Sequence, residues 1–185
     1  MIAGLQLLPL SRGGGEGAPS VALLDRLAAE AARLLAVSCH VEPEAMSIEP
    51  LFDDIRGQAW STAILARLQE RRPARNTVLI GVTELDLYVP VLTFVFGEAQ
   101  LNGPCAVISA HRLREEYYGM EPNEDLLVER LMKEALHELG HTQGLRHCTD
   151  WRCVMSSAHT AERVDLRQAG FCPGCARALA LARAG

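Results

Sequence analysis

The sequence predicts an α/β fold, and three observations carry that prediction. Residues 77–82 form a continuous apolar run rich in β-branched side chains, as in strands buried on both faces. Residues 20–37 and 123–143 repeat apolar positions at helical spacing. Strand-like and helix-like segments alternate through the first half, the order expected of helices packed on a sheet.

In chain order, residues 1–10 read as a first strand, ended by the glycine-rich loop 11–17. Ser20 caps a helix to about residue 37, with Val21, Leu23, Leu24, Leu27, Ala31, Leu34 and Leu35 on its apolar face. Residues 39–48 suggest a second strand, which Pro43 weakens or moves to an edge. A helix is expected over 57–71, ended before Pro73, with the Arg71, Arg72 and Arg75 cluster complementing its C-terminal dipole. Shorter strands are expected at 92–96 and 105–109, separated by a turn region at 97–104. Asn123 caps a long helix to about residue 143, burying Leu126, Leu127, Leu131, Ala135 and Leu136. Beyond Gly144 the chain is loop-rich and cysteine-rich until a short helix at 175–184.

At 185 residues, 49% hydrophobic and 22% charged, one globular domain over 1–185 is expected. Its parts are a sheet and helix region (1–122), an active-site helix (123–144) and a compact C-terminal part (145–185). A net charge of −5 argues against a nucleic-acid partner. Lys133 is the single lysine among 18 basic residues, which reads as base-composition bias. No apolar run reaches about 18 residues, so no membrane-spanning helix is expected. The apolar residues 1–10 have no basic leader before them and no small-residue cleavage site after them. A cytoplasmic monomer is therefore expected.

The decisive stretch runs from His137 to His147. Helical positions four apart point the same way, so His137 and His141 can bind one ion together. Gly144 permits positive φ, ends the helix and returns His147 as a third ligand. Three neutral imidazoles leave zinc an open fourth position, the pattern of a catalytic site. Glu138 lies beside the first ligand, placed to take a proton from a zinc-bound water that attacks the substrate. Five fixed residues match by chance on the order of 10⁻⁷ per position.

Four of the six cysteines, Cys148, Cys153, Cys172 and Cys175, crowd into the last part of the chain. Four thiolates suffice for a closed, structural zinc site, with two disulfides or free thiols as the alternatives. Pro173 and Gly174 suit the tight knuckle such a site needs. Cys39 and Cys105 lie alone in apolar stretches. Met155 can supply a polarizable floor beneath the histidines.

These motifs together, with residues 81–88 and 94–99, make the chain similar to the archaemetzincin family of metzincin zinc metallopeptidases. The resemblance implies a minimal metzincin with a mixed, mostly parallel twisted sheet, an antiparallel edge strand, an active-site helix and a zinc-stapled C-terminal part. It implies two Zn²⁺ ions: one catalytic, on His137, His141 and His147, and one structural, on Cys148, Cys153, Cys172 and Cys175. It implies Glu138 as general base, Met155 as the Met-turn, and residues 92–97 as the edge strand where an extended peptide adds. Where some metzincin branches carry a tyrosine near the Met-turn, this chain has Ser157, so no oxyanion partner is assigned.

Of the remaining histidines, His40 and His111 read as surface or hydrogen-bonded residues. His159 follows the Met-turn closely enough to line a cleft. Glu84, Asp86 and Glu98 offer negative charge for a substrate amine, or else form a solvated acidic rim. The reading is a zinc metallopeptidase acting on a peptide or protein substrate. The alternative is a non-catalytic, zinc-stabilised peptide-binding or regulatory protein on the same scaffold, in which Glu138 has no task.

Overall fold

Alternation of apolar side chains decides which helices cover which side of the sheet. The computed structural model describes residues 2–71 and 74–182. Its strands are β1 (Gly4–Ser11), β2 (Ser38–Val41), β3 (Met46–Ser47), β4 (Phe52–Asp53), β5 (Gln58–Trp60), β6 (Thr77–Thr83), β7 (Leu87–Tyr88), β8 (Gly97–Ala99) and β9 (Cys105–Ser109). Its α-helices are α1 (Val21–Leu35), α2 (Ser61–Glu70), α3 (Glu124–Thr142), α4 (Ala161–Asp165) and α5 (Pro173–Ala182). The main sheet runs β2-β1-β6-β9-β8, with β3 also paired to β1. Its pairs are parallel except β8 against β9. This is the mixed, mostly parallel sheet with an antiparallel edge.

Leu5, Leu7, Val78, Ile80, Val82, Ala106 and Ile108 point to one face, where α1 and α3 pack. Leu8, Leu10, Leu79, Cys105 and Val107 point to the other, where α2 packs through Ile64, Leu65 and Leu68. Period-two alternation with both sets buried is why these strands read as continuous apolar runs.

Both predicted caps form. Ser20 Oγ accepts from the Leu23 amide at 3.1 Å, and Asn123 Oδ1 from the Leu126 amide at 3.0 Å. Val21, assigned to the apolar face of α1, is exposed, because it sits on the first helical turn away from the sheet. The strand expected at 39–48 breaks into β2 and β3 around Pro43, and β2 is an edge of the sheet. The helix expected from residue 57 starts at Ser61, because Gly57 turns at φ 67° and residues 58–60 are strand. It ends at Glu70, with Arg71 as its C-cap; Pro73, expected to end it, lies outside the described residues, as does the end of the last helix beyond residue 182.

The largest correction concerns the edge strand. It was expected over residues 92–97, but pairing with β9 begins only at Gly97. Val95 makes only a single bridge to Leu87. Side chains hold this segment instead: Gln58 Nε2 donates to the Thr93 carbonyl at 3.0 Å, and Arg112 stacks 4.2 Å over the Phe94 ring.

α3 is buried on nearly every side, charged residues included. Arg130 forms a fork with Asp165 at 2.8 and 2.7 Å and also reaches Glu115 at 2.6 Å. Arg130→Met should therefore destabilise the protein by about 3 kcal/mol, the low end for breaking a buried pair, since Asp165 is partly exposed. Urea unfolding checks this; a loss below about 1 kcal/mol would show that the pair contributes little.

Candidate metal centre and cleft

The last turn of α3 aims His137 and His141 to the same side, and the helix ends in a turn that brings back His147. Gly144, at φ 89°, donates to the His141 carbonyl at 2.9 Å, and Leu145 donates to the Gly140 carbonyl at 2.9 Å. This is a Schellman stop. A Cβ on Gly144 would lie 2.3 Å from Asn102 Oδ1, so another residue type would strain the backbone and displace that side chain.

One nitrogen from each of the three imidazoles lies within 4.8 Å of the others. His137 Nδ1 contacts the Val154 carbonyl at 2.7 Å, and His141 Nδ1 contacts the Leu145 carbonyl at 2.8 Å. A carbonyl only accepts, so each Nδ1 carries the proton and each Nε2 is left as a free lone pair. The two Nε2 atoms are 3.1 Å apart, near the ~3.3 Å edge of a tetrahedron with ~2.0 Å Zn–N bonds. Burial pushes His137 down to about 3, with Arg167 adding to the shift. Burial also lowers His141 and His147. All three are thus held in the neutral form that ligates metal.

Met155 is fully buried, next in the chain to the Val154 carbonyl that holds His137. A Cβ on Gly140 would lie 2.3 Å from Met155 Sδ and 3.1 Å from Phe171. Gly140, to which sequence reading assigned no role, is thus the gap in α3 that the methionine fills.

The four C-terminal cysteine sulfurs also lie within 4.8 Å of one another, and all are free thiols. Cys148 and Cys172 sulfurs are 3.8 Å apart, far beyond a disulfide and equal to the ~3.8 Å edge of a Zn–S₄ tetrahedron. The backbone hydrogen bond at Cys175 lowers the Cys172 thiol to about 7. Pro173 and Gly174 form the first turn of α5 rather than a loop knuckle. The two clusters share a backbone. Cys148 N–H donates to the Met155 carbonyl at 2.9 Å, Ser156 to Cys153 at 2.9 Å, and Val154 to Gly170 at 3.0 Å.

The histidines open into a cleft of about 490 Å³ between α3, the 92–101 segment and residues 157–159. Glu138 is buried in it, and its carboxyl is held well above the usual range by burial, then by Glu134 and Glu98. A Cβ on Gly97 would fall 2.8 Å from Glu138 Oε1, so this glycine lets β8 approach the carboxylate. Glu134 and Arg167, neither singled out from sequence, form a buried pair at 2.7 Å in the same cleft. Charged residues on the otherwise apolar face of α3 were the available signal for them.

The acidic residues considered for a substrate amine are engaged within the chain. Glu84 pairs with Arg114, Asp86 with Arg112 at 2.7 Å, and Glu98 accepts from Thr62 at 2.9 Å and from Ser61. His111 contacts the Glu84 carbonyl at 3.1 Å, His40 is exposed, and Ser157 and His159 line the cleft.

Peptidase family M54 matches residues 38–181. The archaemetzincin of Methanocaldococcus jannaschii is 48% identical over 124 residues, 67% of each chain. That of Thermococcus kodakarensis is 42% identical over 129 residues, 69% of each. The crystal structure of the Methanopyrus kandleri archaemetzincin superposes with a TM-score of 0.80 at 33% identity. It covers 98% of this chain and 96% of that one.

Filling the gap under Met155 should disturb the histidines above it. Gly140→Ala should cost about 1–3 kcal/mol through overpacking, partly offset by the ~1 kcal/mol that alanine adds in helix propensity. Zinc affinity should fall, because Met155 cannot retreat without moving the Val154 carbonyl. Calorimetric zinc titration checks it; unchanged affinity would separate Met155 from the His137 site.

Proposed function

The chain belongs to peptidase family M54, and we propose that it cleaves peptide bonds at the three-histidine cleft with Glu138 as general base and two zinc ions per chain. It is a zinc metallopeptidase, a hydrolase acting on peptides or proteins. The observation that carries the finer reading is Glu138, a buried carboxylate beside three imidazoles held neutral and converging on one point.

His137, His141 and His147 would hold the catalytic zinc through one ring nitrogen each. Bound there, zinc supplies Lewis acidity, polarising a carbonyl and acidifying water. Glu138 takes a proton from the attacking water and delivers it to the leaving amine. Met155 holds the histidines from below. Cys148, Cys153, Cys172 and Cys175 hold a structural zinc that fixes the 148–156 loop. An extended substrate adds alongside β8, the outer strand of the sheet, whose residues line the cleft. Among the described residues no helix is long and apolar enough to cross a membrane. We place the chain in the cytoplasm as a monomer with one peptidase domain.

Glu138→Gln keeps the shape of the side chain and removes its basicity. Zinc should stay bound while turnover of the best library peptide drops about 10²- to 10⁴-fold. Cleavage at the wild-type rate would mean that another group is the base.

Metal analysis of protein purified without chelator should approach two zinc ions per chain. Cys172→Ser should lower zinc at both sites and lower the thermal midpoint, because the cysteine cluster and His147 share one short loop. His141→Ala should empty only the histidine site. Full zinc affinity at the histidines in Cys172→Ser would refute the coupling.

A further inference from the structure

Resting on the peptidase reading, we propose that Arg167 is a specificity-determining residue that receives a carboxylate of the substrate at the buried end of the cleft. Arg167 is 3% exposed, yet it lines the same cleft as His137 and Glu138. Its Nη1 donates to Glu134 Oε1 at 2.7 Å, while its buried Nε has no acceptor among the described residues. A guanidinium stays charged under all working conditions and presents its donors as a rigid fork. A buried donor without an acceptor is costly, and the acceptor that suits the fork best is a carboxylate.

The surroundings hold this guanidinium in place. Glu134 lies one helical turn before Glu138 on α3, and Asp165, two residues before Arg167, is gripped by Arg130 and by Lys133 at 3.1 Å. On the other side, Gln168 N–H donates to the Arg152 carbonyl at 2.8 Å. With its backbone held from both directions, Arg167 is ordered before any ligand arrives, which lowers the entropic cost of binding. Glu134 already supplies one counter-charge, and Glu138 and Glu98 also face this space. Recognition therefore rests on directed N–H groups more than on net charge, and a lysine could not replace the fork. The carboxylate belongs either to an aspartate or glutamate side chain or to the C-terminus of a short peptide.

The test uses zinc-loaded Glu138→Gln protein, which is to hold peptides without turnover. One glutamate is walked through an amidated peptide, each position paired with its glutamine counterpart, and affinities are measured by calorimetry. A second series compares free-acid with amidated C-termini. At one position, or at the free C-terminus, the acid should bind about 10- to 100-fold tighter than its neutral counterpart. Preference in the first series assigns a side chain; preference in the second alone assigns the chain terminus. Arg167→Lys, which keeps the charge opposite Glu134, should abolish the preference. Glu134→Gln/Arg167→Met, which removes the pair without stranding a charge, should do the same. Equal or unmeasurable binding of acid and neutral peptides overturns the proposal, as does a preference that survives both variants. Cleavage by the wild-type protein is scored separately. Peptides cut without regard to acidity sink this inference alone, and acidic peptides bound but never cut sink the peptidase reading alone.

Discussion

Two backbone carbonyls, those of Val154 and Leu145, are the constraint on which the rest of the site depends. Each accepts the Nδ1 proton of a histidine and thereby turns the opposite nitrogen into the cleft. Neither carbonyl can be placed by the helix that carries the histidines. That of Leu145 exists where it does because Gly144 adopts a conformation few other residues accept. That of Val154 is held by the bond from its own amide to Gly170 and by Met155 seated in the gap at Gly140. The orientation of these imidazoles is thus decided by loops, with the helix supplying only the direction.

The loops need an anchor of their own, and the buried charges of α3 provide it. Apolar packing alone is non-directional and would tolerate small shifts of one element along another. Arg130, Lys133 and Glu134 occupy three of the five positions preceding Ala135 and are buried among leucines. Their partners Asp165 and Arg167 follow the Met155 loop. Buried pairs of this kind restrict the docked position more than they add stability. The cysteine cluster constrains the loop from its other end through Cys148 and Cys153.

Long, periodic elements and local motifs were legible in the sequence. β6, β9, α1 and α3 follow from period and caps, and His137, His141 and His147 are brought together as their spacing implies. The four cysteines converge as well, although the sulfur separation was needed to set disulfides aside. Strands of two or three residues, such as β4, β5 and β7, are too short to show a period, so they were missed. The register of the edge strand was missed for a different reason. Residues 92–96 have the composition of a strand, but Arg112 on Phe94 and Gln58 on Thr93 hold them off the ladder, and those contacts are distant in sequence. The same distance hides Gly140 against Met155, Gly97 against Glu138, and Arg167 against Glu134. Glu84, Asp86 and Glu98 were visible as charges, but not the arginines and hydroxyls that engage them.

The displaced edge also explains how an open strand can border the cleft without inviting another chain. An unpaired edge is a template for aggregation, and proteins limit it by shortness, charge and bends. β8 is three residues long and carries Glu98 at its centre; just before it the Phe96 carbonyl accepts from Ser109 at 2.8 Å, and Val95 bonds Leu87 instead. Its first residue is Gly97, where Glu138 crowds so closely that a side chain would strike the carboxylate. The glycine therefore couples two requirements in one position. It lets the edge come close to Glu138, and it opens the short stretch that pairs with β9. A longer ladder through residues 92–96 would carry the rim away from the contacts to Gln58 and Arg112 that hold it over the histidines.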